Sequence, residues 1–154
     1  MSDSIYIGSD HAGFTLKEGL KKYLVRKGFH VTDAGTFSKD RCDYPLFAAA
    51  VAKAVSQHTV KRGVIICKTG IGSSIVANRF PGVRASLCYN VRAARLTREH
   101  NDSNVLVLGS AFVNRSLGLR ITDAWLRTKF AGGRHQRRLS QIKKIERAIG
   151  CVKL

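Results

Sequence analysis

The 154-residue sequence has few acidic residues. Ten Asp and Glu stand against 27 Lys and Arg, which leaves a formal net charge of +17. The basic excess is denser near the end: residues 1–114 carry 16 basic and 8 acidic groups, and residues 115–154 carry 11 and 2. This charge suits a nucleic-acid partner, a small anionic substrate or simply a solvated basic surface. We expect no nucleic-acid partner, because neither an aromatic-interleaved basic strand nor a helix-turn-helix pattern accompanies the charge.

Long apolar runs are absent as well. No uninterrupted apolar stretch approaches the ~20 residues of a membrane span. Residues 1–13 lack the basic region and long apolar region of a secretory signal. We therefore expect a cytoplasmic protein with no membrane partner. Hydrophobic residues make up 44% of the chain, enough for a core, and the length predicts a single domain over residues 1–154.

Several catalytic and metal-binding motifs are also missing. None of the four cysteines forms a C-x-x-C pair, which argues against a zinc ribbon or a thioredoxin motif, and we expect free thiols. The sequence has no G-x-S-x-G elbow, no complete G-x-G-x-x-G and no G-K-[ST]. No carboxylate pair has the context of glycoside hydrolysis, and no His, Cys and Asp set has recognisable metal-ligand spacing. We predict neither a metal nor a cofactor.

What the sequence does contain is a regular alternation of strand and helix patterns. Short apolar stretches predict five strands, at residues 4–9, 29–35, 62–70, 83–89 and 104–110. Helical spacing predicts six helices, at residues 14–28, 43–57, 72–80, 91–100, 114–130 and 137–149. This order predicts a three-layer α/β/α, Rossmann-like domain with a five-stranded parallel sheet. Ligands of such folds bind at the carboxyl ends of strands, so we expect GSDHAG, CKTGIGSS, TREHNDSN and GSAF at one edge.

The stretch VIICKTGIGSSIVAN is the most informative. A strand runs into Cys67, a glycine turn follows, and a helix begins with Ser73 or Ser74 as the expected N-cap. The N–H groups of such a turn and helix start would form an anion hole beside a thiol. A helix N-terminus can lower a thiol pKa, and the hydroxyl of Thr69 could orient the sulfur. A glycine turn with a buried structural cysteine is the alternative.

Two further stretches carry candidate side chains. His100 and Asn101 precede a buried strand, where a histidine can move protons near neutral pH or can simply cap and fill space. In GGRHQRR, Arg134 and Arg138 are four residues apart and share a face on a helical turn. Two guanidinium groups on one face suit a phosphate, and a solvated basic helix is the alternative.

Taken together, these stretches resemble ribose-5-phosphate isomerase type B and its galactose-6-phosphate isomerase relatives. The resemblance runs in order from about residue 5 to residue 147, through GSDHAGFTLK, DYP, CKTGIGSSIVANRFPGVRA, TREHNDSNVLVLG, DAWL and GGRHQRR. It implies an aldose–ketose isomerase that acts through an enediolate, in the non-oxidative pentose phosphate pathway. The expected pair is ribose 5-phosphate and ribulose 5-phosphate, and a six-carbon phosphate of allose or galactose is the alternative substrate. Neither a metal nor a cofactor is implied.

The resemblance implies a role for each matching residue. Cys67 matches the base that moves the proton, and Thr69 matches the hydroxyl beside it. His100 matches the group that assists ring opening, and Asp10 matches a residue at the sugar hydroxyls. The backbone anion hole corresponds to Gly70, Ile71, Gly72, Ser73 and Ser74. The other implied substrate ligands are His11, Arg134 and Arg138 on the phosphate side, with Tyr44 and Asn101 in the pocket.

The resemblance also implies assembly. A homodimer or a dimer of dimers is expected, with the C-terminal helix in the dimer contact and active sites shared between chains. Two residues depart from the family pattern: Lys68 stands where relatives often have glycine, and Ala111 where many carry an arginine toward the phosphate. Arg115 or Arg137 could compensate for Ala111. A binding protein, either a sugar-phosphate sensor or a nucleic-acid binder, is the alternative function, and the charge of +17 motivates it.

Overall fold

Strands and helices alternate up to the fifth helix in the part of the chain that the computed structural model describes, residues 4–150 and the backbone of residue 151. The strands of this part are β1 (Ser4–Ser9), β2 (His30–Asp33), β3 (Arg62–Cys67), β4 (Ala85–Leu87) and β5 (Val105–Gly109). Its helices are α1 (Phe14–Arg26), α2 (Tyr44–Ser56), α3 (Ile71–Ala77), α4 (Val91–Asn101), α5 (Arg115–Arg127) and α6 (Arg134–Cys151). Every predicted element is present.

The five strands form one sheet in the order β2-β1-β3-β5-β4, and every neighbouring pair is parallel. Successive side chains of a strand point to opposite faces, and β3 illustrates the result. Val64 and Ile66 belong to a core cluster with α1, α4 and α5, whereas Ile65 belongs to a second cluster with α2 and α3. The predicted three-layer α/β/α fold with a five-stranded parallel sheet is confirmed.

The sheet also determines where a ligand can bind. The chain leaves β1 towards one side of the sheet and leaves β3 towards the other, so the two strands flank a topological switch point. In the register of the sheet, Ser9 pairs with Ile66, and Cys67 pairs with Gly109. The carboxyl ends of β1, β3 and β5 therefore lie side by side. We call this the carboxyl edge.

Two predicted helix starts are wrong. Helix α3 begins at Ile71, and its N-cap is Gly70 rather than Ser73 or Ser74. The left-handed backbone of Gly70, with φ of +80°, turns the chain into the helix before either serine is reached. Helix α6 begins at Arg134, three residues earlier than predicted, directly after two glycines with positive φ. In the described part of the chain, no helix is long and apolar enough to cross a membrane.

Candidate active site

Cys67 is the last residue of β3 and is only 4% exposed. The backbone N–H of Gly70 donates a hydrogen bond to its Sγ over 3.1 Å. The backbone carbonyl of Cys67 accepts from the N–H of Ser110, at 2.9 Å. The thiol is therefore held at the carboxyl edge by strand pairing and by the turn that follows, and an N–H donor is placed to stabilise negative charge on the sulfur.

The turn after Cys67 has little freedom to move. Gly70 must be a glycine, because its φ is positive and an added Cβ would lie 2.4 Å from a methyl group of Leu87. The hydroxyl of Thr69 accepts a hydrogen bond from the N–H of Ile71 at 3.3 Å. The phenol of Tyr89 donates to the carbonyl of Thr69 at 2.9 Å. The side chain of Leu87, the hydroxyl of Thr69 and the phenol of Tyr89 together hold the turn in one conformation, so its N–H groups are pre-oriented.

Asp10 and His11 lie at the same edge, directly after β1. The N–H of Asp10 donates to the carbonyl of Ile66 at 3.3 Å, which joins the two strand ends. The Asp10 carboxylate accepts from the N–H of Gly13 at 2.9 Å, and the residue is 6% exposed. The Nδ1 atom of His11 lies 3.1 Å from the carbonyl oxygen and 3.2 Å from the N–H nitrogen of Cys42. Both side chains are therefore anchored by the backbone around them.

Tyr44 begins helix α2, and its phenol reaches the first turn of α3. A Cβ added at Gly72 would lie 2.3 Å from the Tyr44 oxygen, so glycine is required for this approach. Ser73 is fully buried beneath the same turn, and within the described chain its hydroxyl has no hydrogen-bond partner. The hydroxyl of Ser74 donates to the carbonyl of Ile71, at 2.7 Å. The structure thus brings together the predicted site residues of β1, α2, β3 and α3.

The remaining predicted residues lie elsewhere. His100 and Asn101 end α4 and precede β5, so they lie at the amino edge of the sheet, and the expectation that TREHNDSN shares the carboxyl edge is wrong. A parallel strand rises about 3.3 Å per residue, so the two ends of the five-residue strand β5 are roughly 13 Å apart. The other three stretches, GSDHAG, CKTGIGSS and GSAF, do meet at the carboxyl edge.

The amino edge carries its own group of basic side chains, which we call the amino-edge cluster. The rings of His100 and His135 stack with centroids 4.3 Å apart, and Arg134 and Arg138 belong to the same helix as His135. Both arginines are exposed. Burial, followed by the positive charges of His100 and the two arginines, lowers the pKa of His135 below its ordinary value. The cluster suits an anionic ligand.

Sequence reasoning missed three side chains. Tyr89 and Phe112 make an edge-to-face contact, with centroids 5.2 Å apart, at the carboxyl ends of β4 and β5. Their position after strands was a signal that could have found them. His135 was also missed, although it stands between two arginines that were considered. These residues add an aromatic wall to the carboxyl edge and a second imidazole to the amino-edge cluster.

The two departures from the family pattern are neighbours in space. The N–H of Ala111 donates to the carbonyl of Lys68 at 2.9 Å, and both residues are exposed. The side chain of Arg115, which was considered as a substitute for an arginine at 111, packs near Gly19 of α1. Arg137 belongs to α6, the helix of the amino-edge cluster.

The described residues offer neither a metal-ligand group nor a disulfide. Among them, no group of three or more His, Cys, Asp or Glu could hold a metal ion. Among the described side chains, Cys42, Cys67 and Cys88 form no disulfide. The side chain of Cys151 lies outside the described residues.

Comparison with known proteins identifies the family. A model of the Ribose/Galactose Isomerase family matches residues 5–142. Ribose-5-phosphate isomerase B of Escherichia coli K12 is 48% identical over 142 residues, which cover 92% of this chain and 95% of the relative. The chain therefore belongs to the Ribose/Galactose Isomerase family, and the predicted family and the predicted isomerase class are confirmed.

Solved structures agree with this assignment. Ribose-5-phosphate isomerase B of Clostridium thermocellum is 46% identical and superposes with a TM-score of 0.93, over 95% of this chain and 99% of the other. The enzyme of Mycoplasma genitalium, solved with bound ribulose-5-phosphate, is 42% identical with a TM-score of 0.91, over 96% and 98% of the two chains.

Proposed function

We propose that this chain interconverts ribose 5-phosphate and ribulose 5-phosphate through an enediolate, with Cys67 as the general base, in the non-oxidative pentose phosphate pathway. The observation that carries the proposal is the Cys67 thiol at the switch point of the sheet, with the N–H of Gly70 at 3.1 Å. The ligand of the Mycoplasma genitalium relative, ribulose-5-phosphate, supports the choice of a five-carbon substrate.

The turn after Cys67 supplies what the reaction needs. Removing a proton next to a carbonyl develops negative charge on oxygen, and one preorganised N–H donor is worth roughly 2.7–4 kcal/mol there. In the described part of the chain, the N–H groups of Gly72 and Ser73 have no acceptor, so they are free to bind the enediolate oxygen. Ile71 contributes a third N–H, which is held only by a 3.3 Å contact with Thr69.

Other carboxyl-edge side chains complete the proposed site. Thr69, two residues after Cys67, is proposed to orient the thiol. Asp10, at the end of β1, is proposed to contact the sugar hydroxyls and to help move the hydroxyl proton. His11 binds on the phosphate side, and Tyr44 closes the pocket over Gly72 and the N-terminus of α3. The phosphate contributes binding energy remote from the reacting carbons, which holds the open-chain form in place.

We propose that a second copy of the chain completes this site. The amino-edge cluster is separated from Cys67 by the length of β5, so we propose that His100, Asn101, Arg134 and Arg138 act in the active site of a neighbouring chain. His100 assists ring opening there, and the arginines bind the phosphate. Helix α6 favours such assembly because it exposes an apolar row, Ile142, Ile145 and Ile149. The proposed assembly is a homodimer or a dimer of dimers.

The test is conversion of ribose 5-phosphate by the purified protein, with Cys67→Ala as the critical variant. We expect ribulose 5-phosphate to form and Cys67→Ala to abolish turnover without unfolding the chain. Cys88→Ala is the matched control, because Cys88 is also buried after a strand, and burial raises its pKa to about 12, which keeps it a thiol at neutral pH.

Two results would contradict the proposal. Near-wild-type turnover by Cys67→Ala would remove Cys67 as the base. Failure of the wild type to convert ribose 5-phosphate, with conversion of a six-carbon aldose phosphate instead, would overturn the proposed substrate while keeping the isomerase class.

A further inference from the structure

Among the residues whose burial is described, the proposed mechanism leaves one fully buried cation unexplained. Lys17, in α1, is 0% exposed. Its ammonium lies 2.6 Å from both carboxylate oxygens of Asp33 and 2.8 Å from the carbonyl oxygen of Thr36. The rings of Phe14 and Phe37 also lie near the ammonium, with their centroids 5.5 and 5.2 Å from it. A buried charge is tolerated only with such partners.

Besides its α1 neighbours Phe14 and Glu18, the last at 3.4 Å, the ammonium of Lys17 contacts β2 and the β2–α2 loop, which we define as residues 34–43. Asp33 ends β2, and Thr36 lies three residues further on. This part of the loop pairs with the end of β1: the N–H of Ser9 donates to the carbonyl of Gly35, and the N–H of Thr36 donates to the carbonyl of Ser9, both at 2.6 Å. Lys17 thus holds the loop at the point where it contacts β1.

Both ends of the loop contact the proposed active site. Ser9 is followed directly by Asp10. At the far end of the loop, Cys42 contacts the Nδ1 atom of His11, and Tyr44 begins α2. A shift of the loop would therefore displace the side chains proposed to bind the sugar and its phosphate. The Cys67 turn is held independently, by strand β5 and by Tyr89.

Resting on the proposed function, we propose that Lys17 is a positioning residue, which holds the β2–α2 loop against β1 and so keeps His11 and Tyr44 in place for the substrate. If the Lys17 ammonium is removed, the part-buried carbonyl of Thr36 loses this hydrogen-bond donor. Exposure of the carbonyl to water then favours a loop that opens away from β1. The loop contacts the groups proposed to bind substrate rather than the Cys67 thiol. Removing Lys17 therefore raises KM more than it lowers kcat.

The chain offers a matched control. Lys21 donates to the same Asp33 carboxylate at 2.7 Å, but its side chain is 30% exposed, and its described hydrogen bonds go to Asp33 and Glu18. Lys21→Met therefore removes a cation from the same carboxylate without releasing Thr36. Lys17→Met removes the contacts with the Asp33 carboxylate and with the Thr36 carbonyl. The double variant Lys17→Met with Asp33→Asn removes the same contacts, and it also removes the negative charge that Lys17 would otherwise leave without its partner.

The experiment measures kcat and KM for ribose 5-phosphate and hydrogen exchange of residues 34–43 in the wild type and these three variants. For both Lys17 variants we expect KM to rise about tenfold, with a smaller fall in kcat and faster exchange in the loop. Lys21→Met is expected to keep KM and loop exchange close to wild type. Circular dichroism verifies that each variant is folded.

Three outcomes would overturn the proposal: a folded Lys17 variant with wild-type KM and loop exchange, an equal effect of Lys21→Met, or failure of both Lys17 variants to fold, which would assign Lys17 to global stability. An inactive wild type would instead contradict the proposed function. In that case the exchange measurement alone decides whether Lys17 holds the loop, because it needs no substrate.

Discussion

Asp33 is the residue from which a pH dependence of stability follows. Burial raises the pKa of this carboxyl, but hydrogen bonds from Lys17, Lys21 and the N–H of Gly35 outweigh burial, and the pKa lies below its ordinary value of 3.8. A carboxyl with a lower pKa in the folded state stabilises the fold above the pKa of the unfolded state. That contribution is lost as the pH falls through the folded pKa.

Asp33→Asn tests this linkage. At neutral pH we expect the variant to be less stable than the wild type by about 3 kcal/mol, because Lys17 loses its buried counter-ion. As the pH falls below 3.8, the difference should shrink, since only the wild type still gains a proton at this position. Urea unfolding at a series of pH values measures the difference, and a difference that stays constant with pH would contradict the linkage.

The burial of Lys17 is a feature that the sequence pattern does not predict. Lys17 stands among other lysines of α1, in FTLKEGLKKYL, where a lysine at a helix surface is the ordinary interpretation. Its burial depends on the path of the β2–α2 loop, and no local pattern predicts that path. Cys67, by contrast, was predictable as a candidate site residue, because an apolar strand followed by a glycine turn is a local signal.

At the scale of elements, the contact between helices α2 and α3 makes Gly72 sensitive to substitution. In Gly72→Ala, the new methyl would lie 2.3 Å from the Tyr44 oxygen, so the phenol must move out of the pocket. We expect kcat/KM to fall about tenfold or more, because the pocket wall and the nearby N–H donors shift together. Steady-state kinetics with ribose 5-phosphate measures the loss.

Gly150→Ala is the control for this substitution. Gly150 lies in α6, and an added Cβ there would meet nothing within 4 Å. We expect unchanged kinetics and a stability equal to or up to about 1 kcal/mol above that of the wild type, since alanine favours a helix more than glycine does. Equal kinetics for Gly72→Ala and Gly150→Ala would contradict the proposed role of Tyr44 in the pocket.

The elements themselves were largely predictable, and the errors have physical causes. Strand β3 was found because VIIC is continuously apolar, as strands covered on both faces are. The start of α3 was missed because it depends on the left-handed backbone of Gly70. The edge assigned to His100 was an avoidable error, since a segment that precedes a strand of a parallel sheet lies at the amino edge.

At the scale of the whole molecule, the two edges predict complementation between inactive chains. Cys67→Ala lacks the proposed base at the carboxyl edge, and His100→Ala lacks the imidazole of the amino-edge cluster. In a mixed dimer, one of the two sites combines an intact Cys67 with an intact His100 from the partner. Random mixing should therefore restore about a quarter of wild-type turnover.

The experiment unfolds and refolds the two variants together and follows the size of the product and its turnover of ribose 5-phosphate. Each variant refolded alone is the control and stays at its own low activity. Mixed dimers of the correct size that gain no activity would contradict a site shared between chains.

Neither edge accounts for most of the net charge of +17, and nothing in the structure explains the remainder.

A site shared between chains, as proposed for Cys67 and His100, would have a consequence for gene dosage. An enzyme whose site lies within a single chain keeps its activity per molecule on dilution, whereas one that needs its neighbour loses assembled sites by mass action. Near the dissociation constant of the dimer, halving the amount of chain removes more than half of the turnover. The level of expression then controls flux more steeply than in proportion.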